Sequence, residues 1–251
     1  SFTNFAMSGI DQRHMGIELG FKVPLPVQGL SVEGALSWGE YIYTSTPRMT
    51  QTVDNSAEVV HDNAPVPYWA SHPIYKKYAD ADGTVVYETD ADGNWIVEKT
   101  QKHYVPSTPQ LAADLGFNYR TNSYWFFEID AQYFANSYLD MNPGYRTDHA
   151  VNGPDGVFTP VEVEYMAAQE KFKPVFLLNA SIGKSWYIDR KYNFGFSMNI
   201  QNITNNKWVK TGGYEQTRLI DSESAERFYR FDSKYFYMQG LNYMLNLYFR
   251  F

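Results

Sequence analysis

The feature that most restricts what this chain can fold into is an alternation of apolar and polar residues with a period of two, present in seven separate segments. At the end of the chain, Leu241, Tyr243, Leu245, Leu247, Phe249 and Phe251 alternate with Gly240, Asn242, Met244, Asn246, Tyr248 and Arg250. Phe194, Phe196, Met198 and Ile200 alternate with Gly195, Ser197, Asn199 and Gln201 in the same way. So do Leu178, Ala180, Ile182, Trp186 and Ile188, with Lys184 out of phase. Trp125 to Tyr133, Leu111 to Tyr119, Leu30 to Trp38 and Met15 to Val23 complete the set. In a strand, successive side chains point to opposite faces, so each segment reads as a strand with one apolar and one polar side. The pattern predicts strands near 13–24, 30–44, 104–120, 124–140, 174–188, 193–204 and 235–251, consecutively paired in one antiparallel sheet.

The joins carry a second regularity. PLPVQG (24–29), TNS (121–123) and DRKY (189–192) are short, whereas 45–102, 141–173 and 206–234 are long. Short and long joins alternate strictly, as periplasmic turns and extracellular loops do in outer-membrane barrels. Aromatic residues gather at strand ends: Tyr41, Tyr43, Tyr133, Tyr138, Tyr235 and Tyr237 at one rim, and Tyr124, Trp125, Trp186, Tyr187, Phe249 and Phe251 at the other. Such rows suit a membrane–water interface, although aromatic residues also favour strands in any sheet. A mean hydropathy of −0.45 and the lack of a run of about 18 apolar residues exclude a helical membrane protein. The net charge of −7 offers no basic stripe for nucleic acid. Without Cys there is no disulfide, thiolate metal site or Cys nucleophile. The opening SFTNFAMSGIDQRHMG has no basic or apolar leader character, so we expect a removed signal peptide or a true N-terminus farther upstream.

Two stretches resemble a known family. LNASIGKSWYIDRKYNFGFSMNIQNITNNKWVKTGGYEQTR (178–218) is similar to the C-terminal region of TonB-dependent outer-membrane receptors, with its Asn202-to-Lys207 segment and its Gly213-to-Gln216 loop. LGFNYRTNSYWFFEIDAQYFANSYLDMNPGYRT (115–147) resembles a hairpin of such receptors from Bacteroidetes. The resemblance implies an all-β transmembrane antiparallel barrel, of which residues 1–251 form the last seven strands of about twenty-two. It implies active import of a nutrient ligand across the outer membrane of a Gram-negative bacterium, driven through TonB. The alternative is a passive porin, adhesin or secretion barrel. The implied partners are outer-membrane lipid, the remaining plug and strands, TonB, the nutrient ligand and a surface lipoprotein. The terminal Phe251, with Phe249, Leu247 and Tyr243, resembles the signal read by the barrel-assembly machinery. Neither plug nor TonB box occurs in these residues, and about fifteen further strands would have to come from elsewhere for closure with antiparallel neighbours.

Candidate chemistry is sparse. DADGTVVYETDADG (80–93) repeats an acidic Asp-x-Asp-Gly unit, which reads either as a calcium loop or as hairpin turns. The twelfth position that an EF-hand fills with Glu is Ala91 or Gln101, depending on the starting Asp, so the hairpin is expected, with 85–87 and 95–97 as its arms. His14, His61, His72, His103 and His149 show no metal or triad spacing, although His61, Asp62 and His72 share the longest loop. No nucleophile–base set stands out, so catalysis and cofactors are not expected. Glu18, Glu33, Asp114, Glu128 and Asp130, with Lys22 and Arg120, are expected to line the polar side of the sheet as ordinary ion pairs or as ligand contacts. Among the loop aromatics, Tyr68, Trp69, Tyr75, Tyr145 and Trp208 are the candidates for stacking on a ligand, with Tyr78 a further one.

Overall fold

In the computed structural model, residues 3–53, 59–106, 108–152, 157, 159–189, 191–217 and 230–251 are described. Seven strands build one sheet: β1 (Gln12–Pro24), β2 (Leu30–Tyr43), β3 (Leu111–Arg120), β4 (Trp125–Ala135), β5 (Val175–Ile188), β6 (Tyr192–Gln201) and β7 (Asn242–Arg250). Each pairs antiparallel with its neighbour in the chain, in the order β7-β6-β5-β4-β3-β2-β1. The register follows the alternation: Ile17 faces Trp38, Trp38 faces Leu111, Leu111 faces Ala135, and Phe196 faces Leu247. A slip of one residue would carry each apolar set to the polar face, so the pattern holds the register. The last predicted segment is divided, because Lys234–Tyr237 pairs with Lys210–Tyr214 in a separate ribbon.

The tight turns have local causes. At 25–29 the Leu30 N–H donates to the Val27 carbonyl, and Gly29 sits at a φ of 81°. A Cβ there would lie 1.9 Å from the carbonyl oxygen of Arg120, whose own N–H donates to Gly29. Only glycine allows that approach. The turn before β4 places Tyr124 at a φ of 64°, while the Thr121 hydroxyl accepts from the Trp125 N–H. Part of the turn before β6 lies outside the described residues.

The sheet is open. Among the described residues β1 is bonded only to β2 and β7 only to β6, and no ladder joins β1 to β7. This overturns the closed transmembrane barrel of twenty-two strands expected from the resemblance. The reason is physical: alternation and join length specify neighbours and faces, but an open two-faced sheet obeys the same alternation as a closed one. No helix among the described residues is long and apolar enough to cross a membrane.

One face of the sheet is apolar and, among the described residues, uncovered. Leu19 is 63% exposed, Trp38 61% and Leu247 72%, and every residue of β1 is exposed. Lys184, the residue out of phase, sits on this face. Its ammonium lies 4.9 Å from the Trp125 ring and 5.3 Å from the Trp186 ring, and it donates to the Ser123 carbonyl at the turn end. The stem therefore packs on aromatic rings while the charge reaches a polar edge. The opposite face carries the predicted polar set, with Lys22 bonded to Glu33 at 2.7 Å and Asn179 donating to Asp130 at 2.7 Å.

The core lies in the long joins, at one end of the sheet. Helix α1 (Asp148–Val151) and helix α2 (Pro160–Ala167) both belong to the second join. Thr159 starts α2 because its hydroxyl accepts from the Glu162 N–H, with Pro160 supplying a preset φ at the first helical position. Tyr75, Tyr145, Ala150, Val151, Val163 and Met166 form one buried cluster. Tyr43, Met49, Val66, Trp69 and Met141 form a second.

Candidate functional site

The three long joins converge on a buried charge cluster. Glu215, 2% exposed, follows the ribbon strand Lys210–Tyr214, and its N–H donates to the Asp140 carbonyl. Its carboxylate accepts from both terminal nitrogens of Arg146, from Arg230, and from the Asn142 N–H at 2.8 Å. Arg146 is fully buried and also donates to the carbonyls of Asn142 and Ala168, at 3.1 and 2.8 Å. Arg230 reaches the carbonyls of Tyr165 and Ala168. Burial lowers the pKa of the Arg146 guanidinium from its ordinary value, and the Glu215 carboxylate opposes that shift. Removing Glu215 would leave the Arg146 charge buried without a counter-charge, the costly case for an interior ion pair, whereas removing Arg146 would leave Glu215 with Arg230 as its remaining ionic partner.

Beside this cluster sits a histidine pair. The strand Ser71–Tyr75 pairs with Val97–Lys102, which brings His72 against His103. His103 Nδ1 donates to the Trp69 carbonyl at 2.9 Å, so its Nε2 accepts from His72 Nδ1 at 2.8 Å. Burial, with Arg146 adding to it, pushes His72 down to about 4 and His103 down to about 3. Both rings are neutral and act as hydrogen-bonded struts between segments 69–75 and 97–103. His61 lies apart, its ring centroid 6.2 Å from that of His149. Among the described residues no group of His, Asp or Glu is arranged to hold a metal ion.

The acidic repeat forms two turns in tandem. The Asp80 carboxylate accepts from the N–H groups of Asp82 and Thr84, and the Asp90 carboxylate from those of Asp92 and Asn94. These hydrogen bonds hold the Asp90 carboxyl below its ordinary pKa, the Asn94 amide first among them. The first turn closes the hairpin of Lys77–Ala79 with Val85–Tyr87. The second is closed by the Thr89–Trp95 bridge, while Val97 pairs with Tyr75. The expected pairing of 85–87 with 95–97 is thus replaced by two successive hairpins, because both Asp-Gly units turn.

The candidate ligand aromatics are divided by the structure. Trp69, Tyr75 and Tyr145 are buried in the loop cores, and Tyr68 packs against one of them. Tyr145 also donates to the Gln216 carbonyl and faces Arg230. Trp208 is 85% exposed on the surface. Tyr243, Leu247, Phe249 and Phe251 lie exposed along the free edge strand and its end. The Asn202-to-Lys207 segment is organised by Asn202, whose amide donates to the carbonyls of Asn206 and Gln239. Sequence reasoning did not mark Arg146, Glu215, Arg230 or the pairing of His72 with His103. The only available signal was the presence of charged and imidazole groups in loops otherwise rich in aromatic residues.

No protein-family model matches the chain, and no curated protein sequence matches it. The likeness to TonB-dependent receptors therefore rests on the quoted stretches alone, and the open sheet does not support it. With no closed barrel, the TonB-dependent import and the passive porin, adhesin or secretion reading lose their structural ground. The outer-membrane location loses it as well, because the chain shows no closed wall to place there.

Proposed function

We propose that this chain is a non-catalytic binding element: a two-faced sheet seated on an apolar phase, carrying a recognition layer made by its three long joins. The observation that carries this reading is the apolar face, uncovered across all seven strands. Apolar patches larger than a few hundred Å² mark interaction surfaces, and the fitting partner is a layer of acyl chains. Its aromatic strand ends and the reach of Lys184 toward a polar edge suit a boundary between apolar and aqueous surroundings. β1 and β7 each present one free row of N–H and C=O groups, suited to adding strands of a partner. The buried ionisable groups of the loops are engaged with one another, which supports a structural rather than chemical use. We assign no residue to contact with TonB, a plug or a lipoprotein.

Flotation of the full chain with phosphatidylcholine vesicles tests this. Leu19→Asp combined with Leu245→Asp should abolish flotation, whereas Glu18→Gln on the polar face should leave it intact. A chain that stays monomeric without detergent and binds no apolar dye, or a dimer that hides the face, would refute the proposal.

A further inference from the structure

At the loop end of the apolar face a crevice of about 560 Å³ opens between β1, β2 and the segment leading into β3. That size lies within the roughly 300–1,000 Å³ of small-molecule sites. Met15, Ile17 and Trp38 give it an apolar trough, and Tyr104, stacked on Tyr138 at 4.2 Å, forms a wall. Its inner end is polar. Gln110, 3% exposed, accepts from the Tyr41 N–H through Oε1 at 2.6 Å, which fixes the amide orientation, while Nε2 has no acceptor among the described residues. A buried donor without a partner is costly, and such groups in native structures call for an explanation.

The charges around the crevice point the same way. Glu40 lines it but is held by Arg13 at 2.7 Å and Lys102 at 2.6 Å. Lys171 lines it too and, among the described residues, forms no salt bridge. Two cations thus hold the one carboxylate of the lining and Lys171 is a further lining cation, a local positive surplus on a chain of net charge −7. An apolar trough ending in a free ammonium and an unfilled amide donor suits one ligand chemistry.

We infer that this crevice binds a single-chain amphiphile with an anionic head, the acyl chain along Met15, Ile17 and Trp38 and the head on Lys171 and Gln110 Nε2. The inference shares the apolar face with the proposed function but requires a selective site, not a general affinity for acyl chains.

Quenching of tryptophan fluorescence by 12-bromododecanoate, on the full chain in neutral maltoside micelles, reads the site. The component lost in Trp38→Phe reports occupancy. It should half-saturate at a concentration at least tenfold lower for bromododecanoate than for bromododecanol. Lys171→Glu should abolish that preference, Gln110→Leu should reduce it, and Trp208→Ala should preserve it. Lys171→Met serves if Lys171→Glu loses its far-ultraviolet sheet signal. A brominated lysophosphatidylglycerol arm separates sources: a preference shared by it marks a lipid headgroup, and one confined to the carboxylate marks a free fatty acid. Equal quenching by acid and alcohol, or a preference that survives Lys171→Glu, overturns the inference. Detergent bound per chain, measured on the same samples, reports separately on the apolar face.

Discussion

Acidification should loosen the loop layer through His72 and His103 before it affects the sheet. In the unfolded chain both imidazoles titrate near the ordinary value of about 6.5. In the folded chain they are held at about 4 and about 3. A base whose pKa is depressed by folding contributes stability that is complete above the unfolded value and is lost as pH falls below it. The loss continues until the folded values are reached. Of the groups facing the pair, Arg146 and Arg230 oppose protonation of both rings and His72 that of His103, while Glu164 favours it at His72 and the hydrogen bond to the Trp69 carbonyl favours it at His103. Each proton taken up by the unfolded state alone costs about 1.36 kcal/mol per pH unit. Over the roughly 1.5 units from 6.5 to 5, each ring costs the folded state about 2 kcal/mol, and the pair about 4. His61, whose pKa burial also lowers, acts in the same direction. Urea unfolding in neutral detergent, followed by tryptophan fluorescence because Trp69 bonds His103, should show this loss between pH 7.5 and 5. His72→Gln with His103→Gln should flatten the pH dependence by about two protons while lowering stability at neutral pH. The reasoning fails if ring resonances of either histidine titrate with a midpoint near 6.5, or if the double variant keeps the wild-type slope.

Three further outcomes are expected. Arg146→Met should destabilise the loop layer by about 1.5–3 kcal/mol, since it removes the charge-assisted hydrogen bonds of Arg146 and leaves the buried Glu215 carboxylate with Arg230 alone; a loss under about 1 kcal/mol in the same urea assay would show that the pair is not holding the joins together. Gly195→Val puts a Cβ 2.4 Å from the Lys184 carbonyl and 2.5 Å from the Tyr248 hydroxyl. It should cost about 1–3 kcal/mol, and an unchanged melting temperature would contradict the close approach of Tyr248 over this strand. Asp90→Ala should speed amide exchange at Asp92 and Asn94, whose N–H groups the carboxylate accepts. Calcium should leave wild-type exchange there unchanged, and protection by micromolar calcium would restore the cation-loop reading.

The strands were legible because their information is local. Which residue faces which side follows from a period of two, and the segment from Met15 to Val23 carries its own answer. Short joins between such segments made neighbours of consecutive strands, and the observed ladders follow that order. Even Lys184, discordant in sequence, obeys the period in space, because its long stem lets one charge leave an apolar face. The loop layer was not legible. Arg146 and Glu215 are 69 residues apart, and His72 and His103 are 31 apart. No local pattern marks such pairs, since their partnership exists only after three joins have packed together. The same holds for the burial of Trp69, Tyr75 and Tyr145, which as loop aromatics looked available for a ligand until Val163, Met166 and Met141 closed around them. Closure lies beyond local pattern for a related reason. Alternation tells each strand which face is apolar, and nothing within a strand tells the first whether it meets the last. That depends on the accumulated twist and register of the whole sheet, so only the tertiary structure decided that it stays open.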